Sequence, residues 1–262
     1  MGRAATALRL ALLLTGIIVL WRGALALPGA QDGYHVGRHL LQGGLVCAGV
    51  VLLVHALLRR DGRTWREAGF ASLPANLRAF ASGAALWLLP ALAGGALCLA
   101  LGWSTISLVS SPMAILAAVP PLALGVLLFE AFPEELAIRG YAQGLVGRRH
   151  AAWVALLAQM LLFVAFAWAV GALSSTRQWM FLPGFALILG YARALSGNVW
   201  TSIGVHAAWM TTAQLLSPGH GHVSVTGMQT LQFLAFALLP SMAIGIVLPL
   251  RNPSFDWRRP MR

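Results

Sequence analysis

Between Arg78 and Glu130 no side chain carries a charge, and apolar stretches of about 20 residues, the length that spans a ~30 Å hydrocarbon layer as a helix, recur along the chain. A bilayer offers no water to unpaired backbone groups, so a spanning segment closes its hydrogen bonds within a helix or around a barrel. Barrel strands alternate apolar and polar residues; these runs are continuous, so helices are expected. With 59% hydrophobic and 10% charged residues, the chain stands far from the ~25% charge of soluble domains. It reads as an all-α polytopic membrane helix bundle, one membrane domain over residues 1–262.

About eight spans are expected, over roughly 5–26, 38–58, 79–101, 121–146, 151–172, 179–195, 198–216 and 228–250. The fourth is started at Pro120-Pro121, because a proline inside a helix removes a donor and crowds the preceding turn. The first resembles a signal peptide, with a basic start and the small run Ala24-Leu25-Ala26, but among many later spans it is expected to be kept as a helix.

The net charge of +11 comes from arginine, with no lysine in the chain. Placing the N-terminus inside leaves Arg22, Arg38 and Arg177 on the outer side and every other arginine on the inner side, as the positive-inside rule requires. That asymmetry predicts an N-in, C-in integral membrane protein of a bacterial inner membrane. It also accounts for the charge without nucleic acid. The Arg59–Arg78 loop, with Trp65 and Phe70 among its arginines, is expected to lie on anionic headgroups. Cys47 and Cys98 fall in apolar runs without a partner motif and read as small hydrophobes.

The stretch FEAFPEELAIRGY, Phe129 to Tyr141, stands out. A charge at the bilayer centre costs ~2.5–3.5 kcal/mol or more, so carboxylates crowded there need a reason. At helical spacing Glu135 and Arg139 pair at i, i+4, and so do Glu130 and Glu134. The first pair neutralises itself; the second places like charges a turn apart, which suits a general base. A purely structural alternative is an ion-pair network pinning two helices. Pro133 bends the helix between them. His206, ~10–12 Å inside the seventh span, either completes a site or packs as a hydrogen-bonded core residue, while His220 and His222 lie in an outer loop, away from the carboxylates. Zinc-ligand spacing is missing, so no cofactor is assigned and a metal is left open. Ser196 and Ser202 lack a Gly-x-Ser-x-Gly setting.

Glu134-Glu135-Leu136-Ala137-Ile138-Arg139-Gly140, the stretch from Gly190-Tyr191 through SGNVWTSIGVHAAW, and the loop TWREAGF together resemble the CPBP intramembrane proteases, which include CAAX prenyl endopeptidases and Abi or bacteriocin-immunity proteins. The likeness covers about residues 60–216. It implies a glutamic endopeptidase acting on a peptide or membrane-protein substrate near the cytoplasmic face. Glu134 would activate water, with Glu135 as its partner, Arg139 as organiser and His206 at the oxyanion; Glu130 and Phe163 would be auxiliary. The family's second motif, Phe-x-x-x-His, falls on Phe163 to Ala167, and its third, His-x-x-x-Asn or Asp, on His206 to Met210. Those two apolar replacements favour an alternative, a catalytically impaired member serving as an immunity, regulatory or peptide-binding membrane protein. A proton-coupled transporter would need discontinuous helices in paired halves, which the sequence does not display.

Overall fold

The computed structural model describes residues 2–27 and 34–261; Arg262 and the side chain of Arg3, both counted on the inner side, lie outside that description. The apolar runs form helices α1 (Arg3–Leu25), α2 (Val36–Arg60), α3 (Leu73–Ala100), α4 (Pro112–Gly147), α5 (Ala152–Ala169), α6 (Thr176–Ser196), α7 (Val199–Leu215) and α8 (Met228–Arg251). Seven are long and apolar enough to cross a membrane. The eighth, α7, has 17 residues and buries its first half inside the bundle. The all-α membrane bundle is therefore as expected. Arg9 on α1 bonds Asp61, just after α2, while the Met261 amide bonds Gly147 at the end of α4. Both ends of the described chain thus meet one end of the bundle, as an even number of crossings requires. Arg22 caps the opposite end, donating to the Ala169 carbonyl.

Helix α4 starts earlier than the sequence suggests. Pro112 opens it, and the Ser111 hydroxyl accepts from the Ala114 amide, an N-cap that leads the chain straight through Pro120 and Pro121. Their fixed φ is already helical, so continuing costs two donors, which membrane helices tolerate. A two-stranded antiparallel sheet was also not anticipated. Strand β1 (Thr105–Leu108) pairs with β2 (Val223–Thr226), Ile106 opposite Val225, joining the loops before α4 and before α8.

The Arg59–Arg78 segment divides. Arg59, Arg60, Arg66 and Arg78 are exposed, in keeping with a headgroup contact. Trp65 and Phe70 instead turn inward, packing edge to face with each other, and Phe70 meets Phe132 and Trp200. Aromatic burial against α4 and α7 outweighs an interfacial position. Asp61 ties three helices together: its carboxylate accepts from Arg9 at 2.8 Å and from the Tyr141 hydroxyl at 2.6 Å. Burial pushes this carboxyl up, but the Tyr141 and Arg9 bonds outweigh that and hold it below its ordinary value. A depressed carboxylate stabilises above the unfolded pKa of ~3.9 and loses that contribution as pH falls through the folded value. Asp61→Asn should therefore cost about 1.5–3 kcal/mol near neutral pH, seen as a lower melting temperature, and the gap to wild type should begin to narrow below about pH 4 and vanish only below the depressed folded value.

Two glycines set the tightest crossing, that of α3 with α7. A methyl on Gly204 would run into the Phe80 carbonyl oxygen, and one on Gly83 into that of Thr201. Close approach of backbones through small residues is how membrane helices associate, since lipid is as apolar as their side chains. The obstructing atoms are backbone and cannot rotate away. Gly204→Ala should lower stability by about 1–3 kcal/mol, read as a drop in melting temperature in detergent. Gly245→Ala, with nothing within 4 Å of the added methyl, should leave it level or raise it.

Candidate active site

Helix α4 delivers the carboxylates through two widened turns. It is π-wound over Leu127–Ala131 and again over Glu135–Ala142, where the Phe132 amide bonds back to the Leu127 carbonyl and the Gln143 amide to that of Ile138. Pro133, between them, has no N–H to give and so cannot hold an ordinary i→i−4 turn. Such turns re-aim the side chains that follow and recur at functional sites. Gly43 on α2 makes room for the first; a methyl there would stand 2.9 Å from Leu128 Cβ.

His206 is aimed by the start of α7. Gly197 takes a left-handed φ of 68° at the end of α6, which glycine adopts without steric cost. The Asn198 side chain then caps the Trp200 amide at 2.9 Å and donates to Asn76 Oδ1 at 3.1 Å. The Val199 amide bonds the Gly69 carbonyl at 3.0 Å. With both ends of this turn held, His206 reaches the bundle interior two turns later, walled by Phe185 edge to face at 5.3 Å.

There it meets Glu135. Glu135 Oε1 accepts from Arg139 Nη1 at 2.9 Å and lies 3.0 Å from His206 Nδ1. A carboxylate paired with a guanidinium is an acceptor, so Nδ1 carries the proton and Nε2 keeps its lone pair. That nitrogen faces Glu134 Oε2 at 4.0 Å. Glu135 and Arg139 side chains are fully buried, whereas Glu134 keeps 12% of its exposure. Arg139 also donates to the Ala186 carbonyl at 3.4 Å and stands 4.5 Å above the Phe163 ring, a desolvated cation–π contact. Two buried glutamines complete the shell: Gln159 donates to the same Ala186 carbonyl at 2.9 Å, and Gln143 to the Gly190 carbonyl at 2.8 Å.

Glu134, Glu135, Arg139, His206 and Phe163 thus gather at one polar centre. Glu130 turns elsewhere. Its Oε1 accepts from Gln214 at 2.8 Å and its buried Oε2 has no partner among the described residues, beside a pocket of about 170 Å³ bounded by Tyr34, His39, Gln42 and Phe129. The His220 ring packs at a tilt against Tyr34, centroids 4.1 Å apart. Tyr34 also lines the Glu130 pocket, so the outer loop reaches the rim of that pocket through one ring. His222 stays by the sheet, near Ser110. Ala167 is buried a turn beyond Phe163, and Met210 half-buried a turn beyond His206. Gln143, Gln159 and Gln214 were passed over in the sequence, although the same signal applies to each, a polar group inside an apolar run.

Among the described residues no group of three or more His, Cys, Asp or Glu side chains is arranged to hold a metal ion. A membrane helix bundle with a carboxylate, guanidinium and imidazole locked together in its interior defines an integral membrane protein with an enzyme-like polar centre. Residues 116–212 match the family model described as type II CAAX prenyl endopeptidase Rce1-like, a family of proteases, so that stretch is similar to the CPBP family. The matched stretch holds the glutamate motif and His206, while the TWREAGF likeness lies before it. No curated protein and no solved structure matches the chain.

Proposed function

We propose that the chain is a CPBP-type intramembrane glutamic endopeptidase of a bacterial inner membrane, cutting a peptide or membrane-protein substrate near the cytoplasmic face. The observation that carries this reading is His206 standing between the two glutamates, bonded through Nδ1 to Glu135 and presenting Nε2 to Glu134. A gap of 4.0 Å exceeds a direct hydrogen bond and lets one water touch both groups. Glu134 takes a proton from that water, whose oxygen attacks the scissile carbonyl carbon. The proton then passes to the leaving amine as the C–N bond breaks. Phe163 packs on Arg139, Arg139 holds Glu135, and Glu135 holds the imidazole tautomer. The reading uses the chain's own side chains and no cofactor. The exposed arginines of the Arg59–Arg78 segment rest on anionic headgroups, which fixes the depth of the site.

The purified protein should cut a set of unstructured peptides, with products identified by mass spectrometry; no product from any peptide, soluble or membrane-anchored, overturns the reading. A second reading has its own observation. Ala167 and Met210 stand where the family motifs carry polar residues, and one missing oxyanion donor costs ~10²–10³ in rate. On this reading the protein binds peptides without cleaving them, as an immunity or regulatory protein. Ala167→His combined with Met210→Asn should then create or raise cleavage by at least ~10²-fold. Rates unchanged from a measurable wild-type value would count against the impaired reading.

A further inference from the structure

At the inner end of the bundle guanidinium groups gather around one opening. Arg66, Arg148 and Arg193 line a pocket of about 420 Å³ together with Glu67, Gly144 and Gly197. Arg63 lies behind it, with Nη2 2.9 Å from where a Gly144 methyl would stand. The acid on hand is already committed: Glu67 pairs with Arg148 and accepts from the Thr64 amide, while Asp61 is bonded by Arg9 and Tyr141. The cluster therefore keeps a surplus of positive charge.

Its buried members are only partly satisfied, Arg63 Nη2 donating to the Glu67 carbonyl at 3.3 Å. Arg193 is 5% exposed and Arg63 7%, yet among the described residues Arg193 Nε and Arg63 Nε and Nη1 have no hydrogen-bond partner. Gly69 lets the Arg193 guanidinium lie flat beside the pocket, since a methyl there would come within 2.7 Å of its Cζ. Burial lowers the Arg63 guanidinium below its ordinary value, and Arg148 adds to that. Unmade donors on buried charges are costly, and a tetrahedral oxyanion supplies several acceptors to the planar forks of arginines. The pocket opens at the end of α4 and α6, on the side that carries Arg59 and Arg60, where the inner headgroups of a bilayer lie.

We propose that this pocket is a phosphate-oxyanion site, filled by the headgroup of an anionic phospholipid of the inner leaflet. The site stands apart from the carboxylate centre and does not depend on peptidase activity. The test is thermal unfolding of the full chain in nonionic detergent at constant ionic strength, with short-chain phosphatidylglycerol, short-chain phosphatidylcholine or inorganic phosphate added. Phosphatidylglycerol should raise the midpoint saturably and more than phosphatidylcholine. The double variant Arg66→Gln, Arg148→Gln replaces exposed side chains, so its ligand-free midpoint should stay close to wild type, while its apparent affinity for phosphatidylglycerol falls at least tenfold. A saturable shift by inorganic phosphate equal to that of the lipid keeps the oxyanion site and overturns the lipid as its source. No shift with any additive, or equal shifts in wild type and double variant, overturns the site.

Discussion

Glu134→Gln should remove peptide cleavage, lowering kcat by about 10²–10⁴ as expected for loss of a general base, with little effect on folding. Glutamine keeps the volume and most hydrogen-bonding capacity of glutamate but cannot accept a proton from water. Glu134 approaches His206 only to 4.0 Å and keeps 12% exposure, so the bundle does not hang on its charge. Melting temperature and cleavage rate should therefore separate: the first unchanged within a few degrees, the second lost. Cleavage at the wild-type rate by a folded Glu134→Gln protein would remove Glu134 from the chemistry and shift attention to Glu130.

Arg139→Met should act in the opposite way, through the fold. Both members of its ion pair with Glu135 are fully buried, and removing one partner leaves an uncompensated charge at a cost of about 3–5 kcal/mol. At ~2–4 °C per kcal/mol for a chain of this size, the melting temperature should drop by about 10 °C or the protein should fail to accumulate. The double variant Glu135→Gln, Arg139→Met removes the stranded charge and should recover much of the loss. Additive losses in single and double variants would show that the pair is not what holds α4 to its neighbours. The double variant should be inactive, because His206 loses the carboxylate that sets its tautomer.

The helices were legible because the bilayer imposes one length and one hydrogen-bonding solution on every spanning run, so apolar stretches such as 38–58 and 228–250 fall within a few residues of α2 and α8. Helix α4 starts before Pro120 and Pro121 because the Ser111 cap opens it and a membrane helix tolerates the two lost donors, which a proline rule drawn from soluble helices does not foresee. The β1–β2 pairing was illegible: four-residue strands 115 positions apart carry no periodic signal that links them. Glu135 and Arg139 could be paired from i, i+4 spacing alone. The bond from His206 to Glu135 could not, since it joins helices across 71 residues, and the widened turns around Pro133 change which way each carboxylate points.

Sequence by itself determined the membrane class and the polar motif on one helix, because these rest on solvation and local spacing. Tertiary structure decided the division of labour among the carboxylates. Glu135 is locked between Arg139 and His206, Glu134 is left reachable, and Glu130 is drawn to Gln214 and the outer pocket. It also brought Arg63 and Arg193 together against their mutual repulsion. Such contacts depend on how closely backbones approach at Gly43, Gly69, Gly83 and Gly204, and that distance is a property of packed pairs of helices, which no single segment carries.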